Sequence, residues 1–299
     1  NDFSYDDSQA GIVRLIGNQK EADAAREYFA KHHQDEKIIW MEPSELAAKD
    51  TAFEPAVKRN LIAGAVMGVT DESGDARIFA TKLATEFENR GGEIRTNCRV
   101  TDFISQNGYV QGVTTEQGDI SADRVVLSSG VASKALAKKI GITIPVLPIK
   151  GYSVTVPIID ESRVPISSCT DLKHRLVISR LGMRLRVAGF AEIGSDKACD
   201  AGRAAAARDR LEALFPDAAD YQSFDNWMGF RPMTPDGAPI IGEAETLRNL
   251  WFNTGHGTLG WTLSHGTAQL LTDMMAGRKT ALDMKPYKIK RSYVSGIFG

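Results

Sequence analysis

The chain has 299 residues, 42% hydrophobic and 25% charged, the proportions of a folded globular protein with a sizeable core. Lys+Arg 36 against Asp+Glu 38 leaves a formal charge of -2, so no global positive field draws in nucleic acid or an anionic membrane surface. Cys98, Cys169 and Cys199 form neither a disulfide framework nor a Cys-x-x-Cys site and suit a reducing compartment, no apolar run reaches the length of a membrane span, and the start NDFSYDDS is not a signal peptide.

Residues 11–16 (GIVRLI) alternate like a half-buried strand, and Asn18 with Glu21 three positions on predicts a helix running to about His33. His32 and His33 are neighbours on that helix and point apart, so they make no zinc pair, and no metal site is expected. Pro43 and Pro55 bracket a short mixed region, followed by the apolar, Gly-punctuated stretch 61–69. DESGDAR (71–77) reads as a turn into a helix with Leu83, Ala84 and Phe87 as its buried stripe and Gly91-Gly92 as its stop. From 93 to 130, Asn107-Gly108 and Gln117-Gly118 punctuate an antiparallel meander returning into the apolar strand 125–127, which ends on Ser128, Ser129 and Gly130. Residues 151–159, 174–180 and 183–193 predict a second antiparallel sheet, and an Ala/Arg-rich helix covers about 200–215. KPYKIKR (285–291) reads as a solvated tail.

Two segments carry chemistry. In GFRPMTPDGAPIIG (229–242) three prolines and three glycines make a rigid, non-helical run around Arg231. Its fixed fork of donors suits a carboxylate held in a bidentate grip; the structural alternative pairs Arg231 with Asp225 or Asp236. In NLWFNTGHGTLGWTLSHGTAQLLTDMM (249–275) an apolar strand runs into the loop 255–260 and then into a helix whose Leu263, Leu270, Leu271 and Met274 share one face. GHGTLG satisfies Gly-x-Gly-x-x-Gly literally, but Asp273 lies inside the helix and Asp283 follows no convincing strand, so the dinucleotide fingerprint is incomplete. What remains is a glycine loop at the positive end of a helix, suited to negative charge such as develops at the pyrimidine end of a reduced flavin. His256 is expected as a hydrogen-bonding or shape element ahead of a catalytic base, and Tyr152 as packing ahead of a substrate contact.

Taken together, DESGDARIFATKLA (71–84), PIKGYSVTVPI (148–158), GFRPMTPDGAPIIG and NLWFNTGHGTLGW (249–261) make the sequence resemble FAD-dependent D-amino acid dehydrogenases of the small-subunit type, in the D-amino acid/glycine/sarcosine oxidase superfamily. The resemblance implies a mixed α/β fold in which a truncated FAD/NAD(P)-binding-type domain (69–145 and 229–299) interleaves with an antiparallel-sheet substrate domain (1–68 and 146–228). It implies FAD as cofactor, with the Val100 backbone at the adenine, Ser129 and Gly130 beside the cofactor, and Gly255, His256, Gly257, Thr258, Leu259 and Gly260 at the flavin pyrimidine. It assigns Arg231 to the substrate carboxylate and Tyr152 to the substrate side of the ring.

The implied reaction is oxidative deamination of a D-amino acid such as D-alanine. Electrons pass to a quinone or other respiratory acceptor at the cytoplasmic face of the inner membrane. Such proteins open with a strand, Gly-x-Gly-x-x-Gly and an acidic residue; none of these precedes residue 229, so about a quarter to a third of a relative is expected to be missing at the N-terminus. The partner expectation is therefore a homo-oligomer or a separately supplied N-terminal segment. Two other readings stay open: a glycine- or sarcosine-type amine oxidase of the same superfamily, and a non-catalytic fragment.

Overall fold

The computed structural model describes residues 3–32, 37–194, 196 and 198–291. In chain order the elements are β1 (Ile12–Ile16), α1 (Gln19–His32), β2 (Ile38–Met41), α2 (Pro43–Lys49), α3 (Glu54–Lys58), β3 (Gly64–Gly68), α4 (Ala76–Asn89), β4 (Val100–Gln106), β5 (Tyr109–Thr115), β6 (Gly118–Ser121), β7 (Val125–Leu127), α5 (Ala132–Lys139), β8 (Leu147–Pro157), β9 (Ser168–Asp171), β10 (Leu176–Leu181), β11 (Arg184–Ile193), α6 (Ala201–Leu214), β12 (Asp225–Met233), β13 (Ile240–Glu243), β14 (Leu250–Thr254) and α7 (Gly260–Met275). The fold is mixed α/β, divided into two compact units: Asn1–Gly92 with Gly151–Ala191 and Asp196–Gly229, and Glu93–Lys150 with Glu192–Ser195 and Phe230–Gly299. No described helix is long and apolar enough to cross a membrane.

The first unit is built on an eight-stranded sheet of order β12-β8-β11-β10-β9-β1-β3-β2. β9, β10 and β11 pair antiparallel, as their turns imply, but β1 lies parallel to β9 and antiparallel to β3, so the sheet is mixed and reaches back to the start of the chain. Asn18 opens α1 by accepting from the Lys20 and Glu21 N–H groups at 2.9 and 3.4 Å; His33, the expected helix end, lies outside the described residues. One sheet face is apolar. Val154, Val156, Ile178, Leu185 and Val187 pack with Ala204, Ala207 and Leu211 of α6, and Phe53 meets Phe215 edge-on at 5.4 Å. Each fully buried Val, Leu, Ile or Phe among them contributes roughly 1.5–3 kcal/mol. Strand alternation sends Ser153 and Arg186 to the opposite face, where Ser168 donates to Ser179 at 3.0 Å.

Residues 69–92, assigned to the FAD domain by resemblance, cluster with this first unit. Ser8 bridges Ser73, and Asp75 caps α4 by accepting from the Arg77 and Ile78 N–H groups at 2.8 and 3.1 Å while Arg184 donates to it at 2.9 Å. The buried stripe expected on α4 does not form. The helix packs through Phe79 against Tyr5 and Phe3 at its N-terminal end, whereas Leu83 and Phe87 are 46% and 52% exposed; periodicity marks a face that can be buried, not one that is. Burial alone would raise the Asp75 pKa, but the two backbone donors and Arg184 outweigh it and hold it below the ordinary value. Asp75 therefore stabilises the fold above the unfolded carboxylate pKa of about 3.9, and that contribution is lost as pH falls through its depressed folded value. Asp75→Ala is expected to cost about 1–2 kcal/mol at pH 7, measured by urea unfolding, with the difference from wild type shrinking below pH 4.

The second unit contains two three-stranded sheets, β4-β5-β6 and β13-β14-β7. Asn107 and Gly108, both at positive φ (52° and 80°), make the tight turn between β4 and β5. β7 does not continue the meander: it leaves it to pair parallel with β14, which is antiparallel to β13. Phe103 and Val110 of the meander pack with Leu127, Leu250 and Phe252, while Ile241, Trp251 and Leu271 form a smaller cluster under α7.

Candidate active site

β7 and β14 run parallel, so both deliver their following loops to one end of the sheet, the end where α/β folds bind ligands. After β7 come Ser128, Ser129 and Gly130; after β14 comes the loop 255–260. A hydroxyl relay ties the two together. Ser129 Oγ lies 3.1 Å from Ser133 Oγ, the buried Ser133 Oγ lies 3.1 Å from Thr254 Oγ1, and Thr254 Oγ1 donates to the Gly130 carbonyl at 3.4 Å.

The glycines in the second loop are required by geometry. Gly255 has φ +80° and Gly257 φ +57°; a Cβ on Gly255 would lie 2.8 Å from Thr234 Cγ2, and one on Gly257 2.5 Å from Met233 Sδ. Gly257–Leu259 forms one 3-10 turn, and α7 starts at Gly260 without a side-chain cap. A sixteen-residue helix thus presents its positive end beside a loop with glycine at 255, 257 and 260. Thr258 and Leu259 are exposed on this turn, Leu259 by 54%. The uncapped start of α7 and the exposed turn before it suit the negative pyrimidine end of a flavin, which residues 257–260 would hold. Since Thr234 is buried and cannot yield, Gly255→Ala is expected to cost about 1–3 kcal/mol in thermal or urea unfolding, more than Gly257→Ala, whose neighbour is the flexible Met233.

The Arg231 segment is joined to this loop. Met233, at the end of β12, bridges His256 in antiparallel fashion, so Arg231 sits two residues from a residue paired with the glycine loop. Arg231 Nη1 donates to the Lys150 carbonyl at 3.3 Å, and burial draws the guanidinium below its ordinary pKa, although an Arg stays charged at pH 7. Lys150 is only 3% exposed, with its ammonium 3.6 Å from Glu192. Asp236, one proposed structural partner of Arg231, is taken by Arg291: Nε and Nη2 donate to its two carboxylate oxygens at 2.7 and 2.9 Å. This corrects the solvated-tail expectation at Arg291, while Lys285, Lys288 and Lys290 of the same segment are exposed. Arg291 is 7% exposed and also donates to the Ala238 and Pro239 carbonyls, pinning the turn before β13. A lone terminal Arg gave no sequence signal for that role.

The surroundings of the other expected site residues follow from their own elements. His256 is half-buried, which lowers its pKa, and Nε2 lies 3.2 Å from Thr267 Oγ1. Since the Thr267 hydroxyl can donate to the Leu263 carbonyl at 3.0 Å, a neutral His256 donates to it from Nε2. Tyr152 belongs to the first unit, 2% exposed, edge-on to Phe190 at 6.2 Å and 5.8 Å from the Arg203 guanidinium. Alternation places it on the helix-covered face with Val154 and Val156, opposite Ser153. Val100 stands half-buried at the start of β4 opposite Thr115, in the meander sheet. Among the described residues no cluster of His, Cys, Asp or Glu is placed to hold a metal.

Known proteins resemble the chain along nearly its whole length. The sequence profile of the family described as FAD dependent oxidoreductase matches residues 2–274. A D-amino acid dehydrogenase from Paramagnetospirillum magneticum is 42% identical over 295 residues, 97% of this chain and 68% of the relative. One from Rhizobium rhizogenes is 38% identical over 97% of this chain and 69% of the relative. The chain thus spans about two thirds of the length of these relatives. Among solved structures, glycine oxidase from Geobacillus kaustophilus superposes with a TM-score of 0.83 at 25% identity, covering 96% of this chain and 76% of that one. L-proline dehydrogenase from P. horikoshii shares the fold with a TM-score of 0.80 at 17% identity, covering 95% of this chain and 76% of that one. With a family profile running through nearly all of its described elements and with relatives this similar, the chain belongs to the FAD dependent oxidoreductase (DAO) family.

Proposed function

We propose that this chain serves the oxidation of a D-amino acid, D-alanine being the simplest, to an imino acid that water hydrolyses to the 2-oxo acid and ammonia. The observation that supports it most is the joining of Arg231 to the glycine loop through the Met233–His256 bridge. One compact unit therefore carries both a cation for the substrate carboxylate and a cradle for the flavin pyrimidine. FAD, the cofactor of the family, would supply the hydride acceptor when bound, with a quinone or another acceptor as the proposed electron sink.

The work of the side chains is placement. Arg231 anchors the carboxylate and so orients Cα, while the N–H groups at the start of α7 would favour negative charge at the pyrimidine end of a bound flavin. His256 keeps its Nε2 proton on Thr267 and fixes the loop, and no side-chain base is needed when the amine binds neutral. Val100, Ser129 and Gly130 complete the proposed cofactor contacts, and Tyr152 supports the sheet from within the core. Residues 146–228 form the main part of the proposed substrate domain, with 229–299 on the FAD side.

The curated relatives favour a D-amino acid; the likeness to glycine oxidase keeps glycine or sarcosine as the second reading. The test is to load the purified chain with FAD and follow dye reduction and hydrogen peroxide with D-alanine, glycine and sarcosine. Dye reduction fastest with D-alanine is the expected result. A preference for glycine or sarcosine with peroxide formation assigns the amine-oxidase reading, and a chain that retains no flavin is a non-catalytic fragment.

A further inference from the structure

On the polar face of the eight-stranded sheet, Arg186 of β11 donates from Nη2 to Ser153 Oγ at 3.0 Å, and its guanidinium lies 5.8 Å from the Trp227 ring. It is half-buried, and no carboxylate pairs with it among the described residues. The nearby carboxylate of Asp75 is committed: Arg184 donates to it at 2.9 Å, and the Arg77 and Ile78 N–H groups donate to its other oxygen. A guanidinium carries five donors in a fixed fork, and desolvating it without a counter-charge is unfavourable, as the lowering of its pKa by burial reflects.

The aromatic neighbour is held for contact. Trp227 is 59% exposed, yet its ring is folded onto its own strand: a Cβ on Gly229 would lie 2.0 Å from Cη2. Glycine at 229 lets the indole lie flat there. The result is a positioned guanidinium, a neighbouring hydroxyl and an open aromatic surface on one sheet face of the first unit.

We infer that Arg186, Ser153 and Trp227 form a binding site for the carboxylate of a small organic acid, the acid's apolar body resting against the indole. Two guanidinium N–H groups match the two carboxylate oxygens, and the ring supplies apolar contact that a neutral polar solute would not repay. The site lies in a different unit from Arg231 and does not depend on the proposed reaction.

The probe is propionate, with propionamide as the neutral control at constant ionic strength, titrated into chain labelled with 15N at arginine and tryptophan. The Arg186 Nε–H resonance is assigned by its loss in Arg186→Lys, and the Trp227 indole N–H by its loss in Trp227→Phe. Both resonances are expected to shift saturably with propionate and not with propionamide, in wild type and equally in Arg231→Gln. Arg186→Gln is expected to weaken the Trp227 response at least tenfold. The inference is overturned when neither wild-type resonance moves, when propionamide moves them equally, or when folded Arg186→Gln keeps the full response. The wild-type arm needs no variant to fold. A response lost in Arg231→Gln but kept in Arg186→Gln would place the carboxylate at Arg231 and also overturn the inference, whereas failure of D-alanine oxidation leaves the titration unaffected.

Discussion

Replacing Arg231 by alanine is expected to raise KM for D-alanine at least tenfold in the FAD-loaded protein. The guanidinium is drawn partly out of water and held by the Lys150 carbonyl on a strand whose next turn is locked to the glycine loop. A carboxylate meeting it there trades hydration for a charge-assisted, bidentate contact, and truncating one partner of such a pair costs about 2–5 kcal/mol. A tenfold change corresponds to ~1.4 kcal/mol, so the forecast is a floor set below that range, as suits a half-exposed group. Arg231→Lys keeps the charge without the fork and is expected to fall between wild type and alanine. Steady-state kinetics on variants with wild-type melting curves decide the matter: an unchanged KM removes Arg231 from carboxylate binding.

Arg291→Ala is expected to be among the most destabilising single changes, costing about 3–5 kcal/mol because it leaves a carboxylate in a buried turn without its partner. The pair is 7% and 16% exposed, bidentate, and backed by three carbonyls that accept from the same guanidinium. Burial would raise the Asp236 pKa, but Arg291 outweighs it and holds the carboxyl below its ordinary range. The sign follows: the pair stabilises above the unfolded value near 3.9 and is lost as pH falls through the depressed folded value. The gap between Arg291→Ala and wild type should therefore be widest near neutral pH and close on acidification. Urea unfolding at pH 7 and pH 3 measures it; a gap that is small at pH 7, or that persists unchanged in acid, contradicts this account of the pair.

Features set by neighbours in sequence were legible before the structure. Asn107-Gly108 makes its turn with positive φ at both positions, the turn at 71–77 leads into α4, and Gly255 and Gly257 both take the positive φ that a glycine loop allows. Features set by distant partners were not. β7 is three residues long and follows a meander, so nothing local announces that it leaves to pair with β14, more than a hundred residues on. β1 reads as a strand, but its parallel partnership with β9 rests on packing between remote segments. The same holds for side chains: Ser133 links Ser129 to Thr254, and Arg291 takes Asp236, through contacts that no spacing rule encodes. Tyr152 reads from sequence as packing, and its ring is buried, 5.8 Å from the Arg203 guanidinium of α6, a partner about fifty residues on that no local pattern names. The exposed Leu83 and Phe87 teach the same lesson for helices.

The central claim is that Arg231 and the glycine loop act as one oxidative site, and anaerobic mixing of the FAD-loaded chain with D-alanine tests it most directly. The flavin absorbance is expected to bleach with D-alanine and not with L-alanine, and the bleaching to need far higher D-alanine concentrations in Arg231→Ala. Flavin that stays oxidised with D-alanine, or bleaches equally well with both enantiomers and in the variant, contradicts it.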